Sequence, residues 1–182
     1  MWKNQRGFSL VEAIITIAII GILAGSSVAM VGHIRYANTK KVAEEVDTAL
    51  SRLRLDTMTK MGEDKFKYLY IYRWSDGLAD GYSDGYYVRL LDEDEIPSFD
   101  SNANLNSGNG TRLCGTNVVF IKDNGQTVGK GDYICIAYKK NGLFRFVDED
   151  GNVVTNTKSI TISGSGTYEI ILNEETGRHY FK

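Results

Sequence analysis

Glu12 is the residue most at odds with its surroundings, because it is the only formally charged side chain between Phe8 and Gly32. A carboxylate near the start of a membrane helix costs about 2–3 kcal/mol or more when unpaired, so it needs a cation or water. No Lys or Arg lies within one helical turn on its C-terminal side. Cleavage after Gly7 would supply the cation, since Phe8 would then carry a free amine four residues before Glu12. That amine can pair with Glu12 of its own chain or of a neighbour. In lipid the pair is desolvated, so it selects neighbours more than it strengthens a lone chain.

The other groups with chemical potential are few. Asp76, Asp80 and Asp84 recur every four residues, each followed by Gly. Two readings stand for them: a Ca²⁺ site, although the spacing is not that of an EF-hand loop, or a plain turn-rich loop. Cys114 and Cys135 are an even pair, either bridged in an oxidising compartment or buried as two thiols. Two Cys and two His are too few for a self-contained zinc module. His33 and His179 lie near no nucleophile motif, and no G-x-S-x-G, H-E-x-x-H or Walker sequence occurs. No catalytic residue, metal or cofactor is expected, and the enzyme class recedes.

The elements that must position these groups begin with an apolar run. Residues 13–32 number 20, a helix of about 30 Å, the depth of one hydrocarbon core. A secretory signal peptide would have a shorter core with a small-residue cleavage site after it. Here Gly7 precedes the run, so a cut there leaves the run in place. An ordinary signal anchor is the plain alternative. The rest of the 182 residues carries a soluble composition, with net charge −2 from 21 basic and 23 acidic side chains. That balance argues against a broad basic face for wrapping nucleic acid.

Arg6-Gly7-Phe8-Ser9-Leu10-Val11-Glu12, followed by an Ile/Ala-rich run, closely resembles the class III leader of type IV pilins and pseudopilins. The resemblance implies cleavage after Gly7 by a prepilin peptidase, N-methylation of Phe8, and use of Glu12 in registering subunits. It implies a single-pass protein of the cytoplasmic membrane, N-terminus inside, later part of an extracytoplasmic filament. Charge alone leaves orientation open, because Lys3 and Arg6 flank one end and Arg35, Lys40 and Lys41 the other. The implied partners are other pilin subunits, the peptidase, and an inner-membrane assembly platform driven by a cytoplasmic ATPase. Many major pilins carry a Pro in this run. Here the only Pro is Pro97, which weakens the case for a major pilin.

Beyond the run, Val42, Val46, Leu50 and Leu53 keep helical spacing, with Ala43, Ala49 and Met61 alongside and Thr57 as a borderline member. The reading is one helix over residues 8–61, with Gly62 as its stop. Four segments follow: a leader at 1–7, a membrane or filament-core helix at 8–32, an amphipathic helix at 33–62, and a β-rich domain at 63–182. Strands are predicted at 66–74, 86–91, 116–122, 132–139, 143–147, 153–154, 159–162, 167–172 and 178–181. Turns are predicted at Asn124-Gly125, Asn141-Gly142, residues 164–166 and residues 173–177. Residues 98–112, rich in Ser, Asn and Gly, read as an exposed loop. The fold class is α+β, a long helix packed on an antiparallel sheet domain.

The stretch Ala43…Leu50-Ser51-Arg52-Leu53-Arg54…Met58…Lys60 resembles the amphipathic helix of the H-type minor pseudopilins and their minor-pilin relatives. So do Val119-Phe120-Ile121…Asn124-Gly125…Gly131-Asp132-Tyr133-Ile134 and the closing Thr176-Gly177-Arg178. The leading expectation is a minor structural subunit of a type IV pilus or secretion pseudopilus. One alternative is a DNA-uptake pilin, with Arg178, His179 and Lys182 as contacts and Tyr180 or Phe181 for stacking. Another is a tip adhesin using Trp74, Tyr82, Tyr86 and Tyr87, residues that are more often packing groups.

Overall fold

The computed structural model describes residues 9–60, 66–74, 84–92, 110–147, 153–154, 159–173 and 175–182. Among the described residues one helix, α1 (Leu10–Lys60, 51 residues), runs about 77 Å at 1.5 Å per residue. Ser9 opens it: its carbonyl accepts from Ala13 N at 3.1 Å and its hydroxyl from Glu12 N at 3.4 Å.

The helix changes character once. Every described side chain before Thr39 is exposed, and from Thr39 onward the inward positions are buried. The stripe Val42, Ala43, Val46, Leu50 and Leu53 enters the core at the expected spacing. Thr57 is buried with them because its hydroxyl donates to Leu53 O at 2.7 Å, which satisfies the one polar group it brings inside. The opposite face stays wet, with Lys40–Glu44 and Lys41–Glu45 at one turn's spacing, exposed pairs that contribute a few tenths of a kcal/mol each. Met61 and Gly62 lie outside the described residues.

Among the described residues ten strands follow: β1 (Phe66–Trp74), β2 (Gly85–Asp92), β3 (Thr111–Cys114), β4 (Val119–Lys122), β5 (Tyr133–Lys139), β6 (Phe144–Val147), β7 (Val153–Val154), β8 (Ser159–Ser163), β9 (Thr167–Asn173) and β10 (Arg178–Phe181). They form two antiparallel sheets, ordered β3-β2-β1-β5-β6-β7 and β10-β9-β8-β4. The helix stripe packs against inward residues of both, among them Leu69, Ile71 and Ile136 from the first and Phe120, Ile160 and Ile170 from the second. This is the expected α+β, pilin-like arrangement.

The far face of the first sheet is buried as well. Tyr68, Tyr70, Tyr72, Tyr87 and Cys135 form a second cluster there. Burial on both faces explains why β1 reads FKYLYIYRW, nearly all aromatic and apolar, rather than as a clean alternation.

Two expectations need correction. Thr111 and Arg112, read as loop, belong to β3, which pairs with the outer edge of β2 through a register shift at Tyr86/Tyr87. The Ser/Asn/Gly-rich composition ahead of them masked a strand that exists because β2 offers it an unpaired edge. Conversely, residues 116–118 are a turn, and β4 begins at Val119. Residues 93–109 lie outside the described residues.

The far end of the domain is closed by two glycine turns. Gly142, between β5 and β6, has φ 75°, and Gly177, before β10, has φ 61°. A Cβ on Gly177 would lie 1.6 Å from Gly142 O, so neither the backbone angle nor the space admits a side chain. Arg54 of α1 reaches the same turn, donating to Thr176 O at 3.3 Å. Gly177→Ala is therefore expected to destabilise the chain by about 1–3 kcal/mol, read as a lowered midpoint in thermal unfolding followed by circular dichroism. An unchanged midpoint would show that the two turns do not lock each other.

Candidate functional site

Gly7 and Phe8 lie outside the described residues, so the site begins at Glu12. Glu12 is exposed in the first turn of α1, and the Thr16 hydroxyl donates to its backbone carbonyl. Among the described residues no cation pairs with its carboxylate. The next Lys or Arg along the helix, Arg35, is 23 residues and about 35 Å away. Any cation that pairs with it comes from outside the described helix.

The helix around Glu12 is built to sit in an apolar medium. Leu10, Ile14, Ile17, Ile20 and Leu23 project outward with no covering residue. Ser26 and Ser27 donate back to Ile22 O and Leu23 O, each at 2.8 Å, so their hydroxyls demand nothing from the surroundings. Gly21, Gly25 and Gly32 face open space, where another helix can approach closely. Among the described residues α1 is the one helix long and apolar enough to cross a membrane.

The cysteines do not bridge. Both are free, on strands separated in the sheet by β2 and β1. That places their backbones about 14 Å apart at sheet spacing, twice the reach of a disulfide. They also face opposite sides: Cys135 lies in the tyrosine cluster, Cys114 against the main core. The disulfide alternative thus gives way to the two-thiol alternative. Burial pushes the Cys135 thiol up to about 12 and Cys114 to about 11.

Asp76 and Asp80 lie outside the described residues. Asp84 is exposed, and its carbonyl accepts from Arg112 at 3.1 Å. The described residues hold no cluster of three metal-ligating side chains. A cleft of about 400 Å³ beside β4 is lined by Lys122, Lys130 and Asp132. Lys122 is committed there to Asp132 at 2.6 Å, and Asp132 also accepts from Tyr133 N at 2.8 Å.

The three C-terminal contacts separate. Arg178 and Lys182 are exposed, whereas His179 turns inward and touches Asp47 Oδ1 at 3.1 Å and Ser51 Oγ at 3.2 Å. Both contacts use Nε2, so the trio is no proton relay, which needs the acid and the nucleophile on opposite nitrogens. It fastens β10 to α1, a role with no local sequence signal because 128 positions separate Ser51 from His179. The aromatic loop residues also divide. Tyr86 is buried in the main core, donating to Val128 O at 2.9 Å, and Tyr87 is buried on the other face beside Tyr72. Tyr82 lies outside the described residues.

A family model described as the prokaryotic N-terminal methylation motif matches residues 2–28. No curated protein and no solved structure matches the chain. The motif supports a type IV pilin or pseudopilin precursor, processed by a prepilin peptidase and assembled with other pilin subunits, and the apolar helix fits membrane anchoring.

A thiol held neutral by burial contributes stability that is whole below its ordinary value of 9.0 and is lost as pH rises toward its folded value. Buried Tyr72 and Tyr138, both raised to about 12 by burial, act in the same sense. The unfolding midpoint is expected to be flat near neutrality and to fall above about pH 9. Cys135→Ala is expected to flatten the first part of that fall, and an unchanged profile would dissociate the thiol from it.

Proposed function

From a chain that opens with a prepilin leader and methylation motif, we propose a minor structural subunit of a type IV pilus or secretion-type pseudopilus. Cleavage after Gly7 frees the Phe8 amine, which is then N-methylated. The amine and the Glu12 carboxylate meet within a subunit or between neighbours. The single observation that carries this reading is the position of Glu12, exposed and unpaired among the described residues of an apolar helix.

The work of such a subunit is mechanical. Before assembly α1 holds the chain in the membrane, N-terminus inside, and the β domain stands outside. During assembly the apolar half exchanges lipid for the helices of neighbours, a swap that changes apolar burial little. The carboxylate then sets the register, because a subunit one turn out of place leaves a charge unpaired in a low-dielectric core. The uninterrupted helix, free of Pro, supports a minor rather than a major subunit. The stripe ending in Leu50-Ser51-Arg52-Leu53-Arg54 and the Thr176-Gly177-Arg178 turn support the H-type group or its minor-pilin relatives. No step asks this chain for catalysis, and extension draws on a separate cytoplasmic ATPase at the assembly platform.

Terminal sequencing of the protein from its host is expected to begin at methylated Phe8. Glu12→Leu is expected to leave that cut intact and to lower incorporation into sheared filaments about tenfold. A mature chain beginning at Met1, or Glu12→Leu subunits entering filaments as readily as the unaltered chain, would overturn the proposal.

One observation favours DNA contact as a second reading. Arg178 and Tyr180 of β10 and Lys182 just after it alternate along the chain and so share an outer face, with an exposed ring between two exposed cations. His179 drops out of that set, and Glu169, opposite Lys182, offsets part of its charge. If the face binds single-stranded DNA, Arg178→Ala with Lys182→Ala reduces the salt slope of binding by about 1.4. No binding by the full chain at low salt removes this reading.

A further inference from the structure

Where α1 enters the β domain, three aromatic rings form a row. Tyr36 and Tyr168 have ring centroids 6.2 Å apart, and Tyr168 stacks on Phe181 at 5.5 Å with 17° between planes. Gly166 makes room for the first of them: a Cβ there would sit 3.0 Å from the Tyr36 ring. Just above, Ser165 N donates to Thr39 Oγ1 at 3.3 Å, which fixes the β8–β9 turn to the helix at this level. Tyr36 remains 50% exposed and Phe181 40% exposed, although each packs on a neighbour.

The level of this row along the helix is the informative fact. If residues 13–32 fill the hydrocarbon core, Tyr36 lies four residues, or about 6 Å, beyond its edge. The headgroup layer on each side is about 5–8 Å deep, so the ring falls within it. Helical Cα–Cβ bonds tilt toward the N-terminus, which brings the Tyr36 ring closer still to the membrane. Tyrosine suits that layer because its ring is apolar and its hydroxyl polar. Exposed Ile34 lies at the same level of the helix on its other side, and exposed Arg35 and Lys182 place positive charge at that level.

We propose that the rim formed by Tyr36, Tyr168 and Phe181 seats the β domain on the phospholipid headgroup layer of the bilayer that α1 spans. The domain then stands on the membrane at a set height and angle before assembly, rather than swinging on its helix. The proposal rests on α1 spanning the bilayer, and the test separates the two.

The experiment uses the full chain in nanodiscs of zwitterionic and anionic phospholipid, with nitroxide labels carried either on the headgroup or deep in the acyl chain. Amide relaxation is read by NMR. Headgroup labels are expected to broaden Gly166, Tyr168 and Phe181, and to leave Gly142 and Gly177 sharp, since these lie beside Met58 and Arg54 at the far end of α1. Tyr36→Ser with Phe181→Ser is expected to abolish the rim broadening while the Gly142 and Gly177 shifts stay in place, which shows the domain still folded. Rim amides as sharp as Gly142, or broadening unchanged in the double variant, overturns the proposal. So does rim protection that rises with protein-to-lipid ratio and not with lipid type, the mark of a second copy on this surface. Failure of acyl-chain labels to broaden Ile14–Val31 instead overturns the spanning reading beneath it.

Discussion

One continuous helix must satisfy two media, and the rest of the molecule follows from how it does so. Between its first and last turns the backbone groups of α1 pair inside the helix, so the segment is at ease in hydrocarbon, in a bundle of neighbours, or against a sheet. What changes along it is only the side-chain surface. Up to Asn38 the described side chains look outward in all directions, and from Thr39 one stripe is claimed by the β domain. Glu12 is the single charged side chain between Phe8 and Gly32.

The β domain answers the helix with two sheets rather than one. Inward residues of both meet the stripe of Val42, Val46, Leu50 and Leu53, so one face of the second half of α1 forms part of the core. The contacts that hold its rim and flank are polar and specific: Thr39 to the β8–β9 turn, His179 to Asp47 and Ser51, Arg54 to the last turn. Each removes a way for the domain to slide along a helix whose apolar stripe alone would allow several registers.

Much of this was legible in the residues, for identifiable physical reasons. The stripe and the Asn-Gly and Thr-Gly turns are local signals, set by a 3.6-residue period and by backbone angles that glycine tolerates. Leader and lone carboxylate are equally local. The partition of strands was not legible, because it depends on long-range choices: β5 passes over its sequence neighbour β4 to pair with β1, while β4 pairs with β8. Nor was β3, whose four residues follow a Ser/Asn/Gly-rich stretch and become strand only because β2 lends them an edge. The thiols show the same limit. Their separation in sequence is compatible with a bridge, and only the strand order sets them apart. His179 reads in sequence as a contact for a ligand, and in the fold it is a fastening.

The absence of a break in α1 has a mechanical corollary. A pull along the axis passes from residue to residue through a continuous ladder of hydrogen bonds, loaded lengthwise and sharing the tension. The β domain is attached along the flank of that ladder, not in series with it. Axial load therefore bypasses the sheets, which need only resist shear against the helix. A chain arranged in this way can serve as a tensile element while its decorated outer part varies freely.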